Sequence, residues 1–231
     1  MKDIDITILI TYYNTNYDIF KETLTSVRTL QIKKNNNSPI IIIDDGSDKE
    51  YKDNIYILIG ELELKNTTIH HLKENMNLTY AVWYGLSKIN TDYTMRLDSD
   101  DIIYYVPICK EDVDVIFKYK TTETHEKWLN NEGSPHLPGV VMKTNMYKSM
   151  YDNYEYFKQY ERQIHEDTYH LQRFLLIYKD KFTWCRTKNI HYVYRAKIGI
   201  MAKEKSQSQK AINTDIIDLL KKENLYKYVY S

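Results

Sequence analysis

Cysteine is nearly absent from this chain of 231 residues: there are two, Cys109 and Cys185. They make neither a metal-type spacing nor a disulfide framework, which points to a reducing compartment. An excess of one charge is missing too. Lys plus Arg number 32 and Asp plus Glu number 32, for a formal net charge of zero. That balance argues against an electrostatic nucleic-acid binder, which carries a basic surplus. No run approaches the roughly 20 apolar residues of a membrane span. The N-terminus starts almost directly on a strand-like segment, with no apolar signal region. The expectation is a cytoplasmic protein without an integral membrane segment. The length suits one domain with a substantial core. Tyrosine, at 23 residues, is unusually frequent, and an AT-rich genome accounts for that without functional pressure.

What the chain does have is a concentrated acidic turn, Asp98-Ser99-Asp100-Asp101, closing the apolar segment Tyr93-Thr94-Met95-Arg96-Leu97. Carboxylates at the carboxyl end of a buried strand sit where open α/β sheets bind ligands. Acids this close repel one another, and a cation relieves the repulsion. Hard oxygen donors suit Mg²⁺ or Mn²⁺, which take one or two carboxylates plus phosphate oxygens of a substrate. A solvated acidic turn is the competing interpretation of the same four residues.

Apolar runs alternate with helical spacing through the first half. Strands are expected over 4–10, 39–43 and 67–72, and then in the run leading to Asp98. Helices are expected after Asp18 as cap (Phe20, Leu24, Val27 and Gln31 on one face), over 51–64, and over 79–89. That alternation predicts βαβ units and a mostly parallel central sheet flanked by helices. The second half is less regular. Strands are expected over 113–119, 139–144, 182–186 and 190–195, a helix over 167–178, a mobile polar segment over 203–210 and a closing helix over 211–226. The small antiparallel part of the sheet belongs to this half. With no repeat and no clear linker, residues 1–231 are expected to form a single domain. Its parts are a nucleotide-binding half (1–101), an acceptor-binding half (102–200), and a mobile segment plus C-terminal helix (201–231).

Three acidic turns, Asp44-Asp45, Asp98 to Asp101 and Glu166-Asp167, follow strands or strand–helix boundaries, and the first two share one sheet edge. Together with Ile8-Leu9-Ile10-Thr11-Tyr12-Tyr13-Asn14 and Ile43-Asp44-Asp45-Gly46-Ser47, they resemble the GT-A (Rossmann-like) glycosyltransferases of family 2. The resemblance covers roughly residues 4 to 197. The segment from Asn75 to Leu86 resembles a glycine- and asparagine-bearing stretch of that family, with Asn77 at the usual glycine and Tyr84 at the usual asparagine.

The resemblance implies a metal-dependent inverting transfer of a sugar from a nucleotide sugar, UDP favoured by family frequency, to a hydroxyl of a glycan or related acceptor. It implies that Thr11, Tyr13 and Asp45 hold the nucleoside, although packing alone also accounts for Tyr13. Asp98 lies near the ribose or the metal. Asp100 and Asp101 hold Mn²⁺ or Mg²⁺. Asp167 is the general base, with Glu166 on the acceptor side; acids enriched at a helix start explain the Glu166-Asp167 pair equally well. Apart from the resemblance, the turn-rich stretch 133–139 with His136 is expected either to bind the acceptor as a rim or to be a plain connecting loop. Where relatives have Tyr-Arg-x-His, this chain reads Tyr194-Arg195-Ala196-Lys197. A lysine cannot ligate a metal but can pair with phosphate, so Arg195 or Lys197 is expected at the diphosphate, surface charge being the other possibility. The rivals are a nucleotidyltransferase acting on sugar phosphates and a catalytically silent nucleotide- or glycan-binding module. Against the first, Tyr12-Tyr13-Asn14-Thr15-Asn16 lacks the Gly-rich basic signature after the first strand.

Overall fold

The computed structural model describes residues 5–33, 37–108, 112–117, 120–122, 137–152, 170, 174, 177–179, 181–187 and 189–195. The expected helices over 167–178 (in part) and 211–226, and the segment 203–210, lie outside them, as do Glu166, Asp167, His136 and Lys197.

The first half follows the apolar pattern closely. Strand β1 (Ile6–Tyr12) leads to helix α1 (Tyr17–Lys33), β2 (Ile40–Asp44), α2 (Lys49–Glu61), β3 (Thr67–His71), α3 (Leu78–Ser87) and β4 (Tyr93–Asp98). β1 pairs in parallel with both β2 and β4, and β2 with β3. Every residue of β1 and β2 is buried, as a parallel sheet covered on both faces requires. Side chains alternate between those faces. Ile8, Ile10, Met95 and Leu97 pack with Phe20, Leu24 and Val27 of α1. Leu9, Ile41 and Ile43 pack with Ala81, Val82 and Leu86 of α3. Gly85 allows that second contact, because a Cβ there would sit 2.5 Å from Leu9 and 3.0 Å from Ile43. β3 is only partly buried, as befits the edge of the sheet.

The second half adds β5 (Ile102–Ile103), β6 (Val115–Phe117), β7 (Lys120–Thr122), β8 (Val141–Lys143), α4 (Thr144–Ser149), β9 (Trp184–Arg186) and β10 (Tyr192–Tyr194). The main sheet runs β3-β2-β1-β4-β8-β6-β9, and a small second sheet runs β5-β10-β7. The antiparallel pairings are β4 with β8, β6 with β8, and β10 with β5. The arrangement is the expected α/β one, with the antiparallel part in the expected half.

Three local differences have physical causes. Helix α1 is capped not by Asp18 but by Asn16, whose Oδ1 accepts from the backbone N–H of Asp18 at 2.9 Å and Ile19 at 3.3 Å; Asp18 sits in the first turn, where an acid complements the dipole. The strand expected over 139–144 gives way at Thr144 to α4, a turn of helix too short to leave a periodic signal. Cys185 is disulfide-bonded. That corrects the expectation of no disulfide framework, and with it removes the argument for a reducing compartment; spacing along the chain says nothing about which side chains a fold brings together. Among the described residues no helix is long and apolar enough to cross a membrane.

Candidate active site

The carboxyl ends of β1, β2 and β4 lie side by side. In register, Tyr12 stands opposite Asp44 and Thr11 opposite Asp98. The two acidic turns therefore share one edge of the sheet, and Thr11 lies between them.

The turn after β2 is held on three sides. Asp44 is fully buried; its Oδ1 accepts the Ser47 N–H at 3.0 Å and its Oδ2 accepts from His71 Nδ1 at 2.7 Å. Ser47 Oγ accepts the Asn14 N–H at 3.0 Å, and Asn14 Oδ1 accepts the Asp48 N–H at 2.9 Å, lacing this turn to the residues after β1. Asp45 Oδ1 accepts the Met76 N–H at 2.7 Å. Gly46 has φ +71, and a Cβ on it would overlap the Glu74–Asn75 backbone; here only glycine fits. Tyr13, next to this turn, is 37% exposed, so its ring is not a core packing element.

The turn after β4 is fastened residue by residue. Asp98 Oδ1 accepts from Arg96 Nε at 2.8 Å. Ser99 shares a hydroxyl–hydroxyl bond of 2.6 Å with Thr15, and its carbonyl accepts from Thr23 at 2.9 Å. The Asp100 carbonyl accepts from Arg195 Nε. Asp101 accepts from the Tyr192 hydroxyl on Oδ2 and from the Arg195 N–H, at 2.9 Å, on Oδ1. Burial and the charge of Asp98 push the Asp100 carboxyl up to about 6. Burial, then Asp98 and Asp100, push Asp101 up to about 8. Burial first, and then the charge of Asp101, raise the Tyr192 phenol well above its ordinary range.

Of the residues expected at the site, the fold brings together Thr11, Tyr13, Asp45, Asp98, Asp100 and Asp101. Asp101 is fully buried, and each of its oxygens already accepts an internal hydrogen bond. Arg195, expected at the diphosphate, is 2% exposed; its Nη1 donates to Glu22 and its Nη2 to the Ile19 carbonyl at 3.0 Å. Its guanidinium is thus directed at α1 and the turn's own backbone. For a divalent ion this leaves the carboxylates of Asp98 and Asp100. Among the described residues no three His, Cys, Asp or Glu side chains cluster as a metal cage. Two carboxylates with the rest supplied by phosphate and water is a donor set that suits Mg²⁺ or Mn²⁺.

Several supporting residues escaped the sequence reading. Arg96 left a signal: it is a charge inside an apolar strand, two residues before Asp98 and so on the same face. Tyr192, in a chain with 23 tyrosines, and Thr23, inside a helix, left none. Gly139 serves packing. Its φ is +79, its N–H donates to the Arg96 carbonyl at 2.7 Å, and a Cβ would lie 2.6 Å from the Tyr192 ring.

Comparison with known proteins bears on the fold. Residues 7–106 match the family model described as Glycosyl transferase family 2. Over 99 residues the chain is 36% identical to a poly-beta-1,6-N-acetyl-D-glucosamine synthase of Staphylococcus aureus (strain MSSA476), which is 42% of this chain and 22% of that protein. The chain thus spans about a fifth of the curated relatives it matches, 22% of their length. The S. aureus TarS 1-349 structure in complex with UDP-GlcNAc superimposes with a TM-score of 0.62 at 14% identity, over 96% of this chain and 67% of that one. The mannosyltransferase PcManGT from Pyrobaculum calidifontis, in complex with GDP-Man and Mn²⁺, gives 0.60 at 12% identity, over 86% of this chain and 59% of that one. Residues 7–106 are thus similar to Glycosyl transferase family 2, and the chain has a GT-A-like α/β fold.

Proposed function

We propose that this protein transfers a sugar from a nucleotide sugar, a UDP-sugar in the first instance, to a hydroxyl of a glycan or related acceptor, with inversion at the anomeric carbon. The observation that carries this reading is the convergence of Thr11, Asp45, Asp98 and Asp100 at the carboxyl ends of three adjacent parallel strands, the location where such sheets bind ligands. UDP-GlcNAc is the sugar nucleotide bound by TarS, which favours the same donor class here.

In this reading Asp45 accepts a base N–H and Tyr13 stacks on the base. Asp98 and Asp100 hold Mn²⁺ or Mg²⁺ beside the diphosphate. When bound, such an ion supplies positive charge against the departing diphosphate. Asp167 takes the proton of the acceptor hydroxyl as its oxygen bonds to the anomeric carbon and the bond from that carbon to the diphosphate breaks. In the same reading the roles of acceptor binding fall to Glu166 and His136, and that of pairing with the diphosphate to Lys197.

The test is a thermal-shift panel of UDP, GDP, dTDP and CDP, each with and without Mn²⁺, followed by turnover of the matching sugar nucleotide. A ligand that binds only the native state raises the melting temperature by mass action. The expected result is a shift for one nucleotide that requires the metal, and release of that nucleotide from its sugar donor that is lost in Asp167→Ala. No shift with any nucleotide would favour the catalytically silent module.

A further inference from the structure

The acidic turn is closed from beneath by a strand more than ninety residues away in sequence. Both oxygens of Asp101 are taken by β10 and its first following residue, through the Tyr192 hydroxyl and the Arg195 N–H. Arg195 then returns to the same turn through the Asp100 carbonyl and crosses to α1 through Glu22, the Ile19 carbonyl and Thr23. Thr23 also donates to the Ser99 carbonyl at 2.9 Å. A guanidinium and a carboxyl group this deeply buried persist only when hydrogen-bonded, and the guanidinium is also paired with Glu22. Here each guanidinium nitrogen and each Asp101 oxygen has a partner. A connecting turn needs no such fastening. A turn that must hold two like-charged carboxylates at a fixed separation before a cation arrives does need it, because repulsion would otherwise spread them.

We propose that Asp101, Tyr192 and Arg195 form a clamp that fixes the Asp98 and Asp100 carboxylates for a divalent cation. Asp101 is an anchor and not a ligand, and Arg195 is a positioning residue and not a diphosphate contact. The clamp rests on the preceding reading that Asp98 and Asp100 hold a metal with a nucleoside diphosphate.

Isothermal titration on the full chain separates the possibilities. The probes are Mn²⁺ titrated into protein saturated with UDP (or whichever diphosphate gives the largest metal-dependent thermal shift), and the same nucleotide titrated without metal. Tyr192→Phe removes the hydroxyl from Asp101. As an anchor, Asp101 then drifts and Mn²⁺ affinity falls about 10- to 100-fold, the usual effect of losing a neighbour that orients a metal ligand. As a ligand, Asp101 gains a free oxygen, and Mn²⁺ affinity holds or rises. Arg195→Gln is expected to lower Mn²⁺ affinity over a similar range while leaving metal-free nucleotide affinity within about twofold; a direct diphosphate contact would instead weaken nucleotide binding without metal. If Arg195→Gln does not fold, Tyr192→Phe, which loses one hydroxyl, carries the test. A fall in melting temperature with unchanged Mn²⁺ affinity in both variants would make the network purely structural and overturn the clamp alone. Nucleotide binding by the unaltered protein that is indifferent to Mn²⁺ would overturn the metal reading beneath it, and the clamp with it.

Discussion

At the scale of single residues, the site we propose divides into side chains that face a ligand and side chains that hold those in place. Asp98 and Asp100 belong to the first group. Losing even an orienting neighbour costs about 10- to 100-fold in metal affinity, so Asp100→Asn, which removes one of two carboxylates, is expected to weaken Mn²⁺ binding by at least ~100-fold. Sugar-nucleotide turnover should fall in parallel, while the melting temperature without metal holds or rises, since one repelling charge is gone. Titration of Mn²⁺ alongside a thermal melt checks both halves. Gly46 belongs to the second group. Its φ of +71 and the overlap of a Cβ with the Glu74–Asn75 backbone combine two penalties. Gly46→Ala should therefore destabilise the protein by roughly 2 kcal/mol or more, read as a lower denaturation midpoint with the slope unchanged. The acids proposed to face the ligand stand out in the sequence because they lie at strand ends in a dense run. The holding residues were mostly not, because Thr15, Thr23 and Tyr192 gain their meaning only from which turn they touch.

At the scale of elements, β1, β2, β4 and α1 could be read from apolar runs and helical spacing, because each buries a continuous face. Of the short elements, β6, β8, β9 and β10 fall inside the strands expected over 113–119, 139–144, 182–186 and 190–195, whereas β5, β7 and α4 do not stand out in the sequence. β5 and β7 take their places from pairing with β10; no pattern of two or three residues encodes partners that distant. The start of α3 shows a different kind of departure. Asn77, at the usual glycine of the resembling segment, has φ 71 and ψ 161 and makes no side-chain capping bond. That region of backbone space is nearly reserved for glycine, and a side chain there costs of order 1–3 kcal/mol. Glycine's own loss of backbone entropy, roughly 0.5–1 kcal/mol, recovers only part of that. Asn77→Gly is therefore expected to stabilise the protein by about 1 kcal/mol, measured by urea denaturation. A neutral or destabilising result would mean the asparagine side chain compensates for the strain locally.

At the scale of the whole molecule, the sheet carries three acids to one place and the interior holds them there, so stability and ligand binding are linked through pH. For Asp100 and Asp101 the folded-state pKa lies above the usual carboxylate value, near 6 and near 8, chiefly through burial. The native state therefore holds these protons more tightly than the unfolded chain does. By linkage, the metal-free protein loses stability as pH rises from about 4 through the folded-state values, and levels off above them. His70 works in the opposite direction: burial lowers its pKa, so its contribution is lost as pH falls. A comparison with Asp101→Asn cancels that term, because His70 is common to both proteins. Between pH 5 and 8 in EDTA, the unaltered protein should lose upward of ~1 kcal/mol relative to Asp101→Asn. The same titration bears on the metal. Below about pH 6 a cation entering between Asp98 and Asp100 must displace a proton, so its apparent affinity falls by up to about tenfold per pH unit. Mn²⁺ with nucleotide should therefore raise the melting temperature most at pH 7 to 8, where the empty turn is most strained by its own charge, and least near pH 5. A stabilisation by Mn²⁺ that is flat across this range would place the ion away from these two carboxylates.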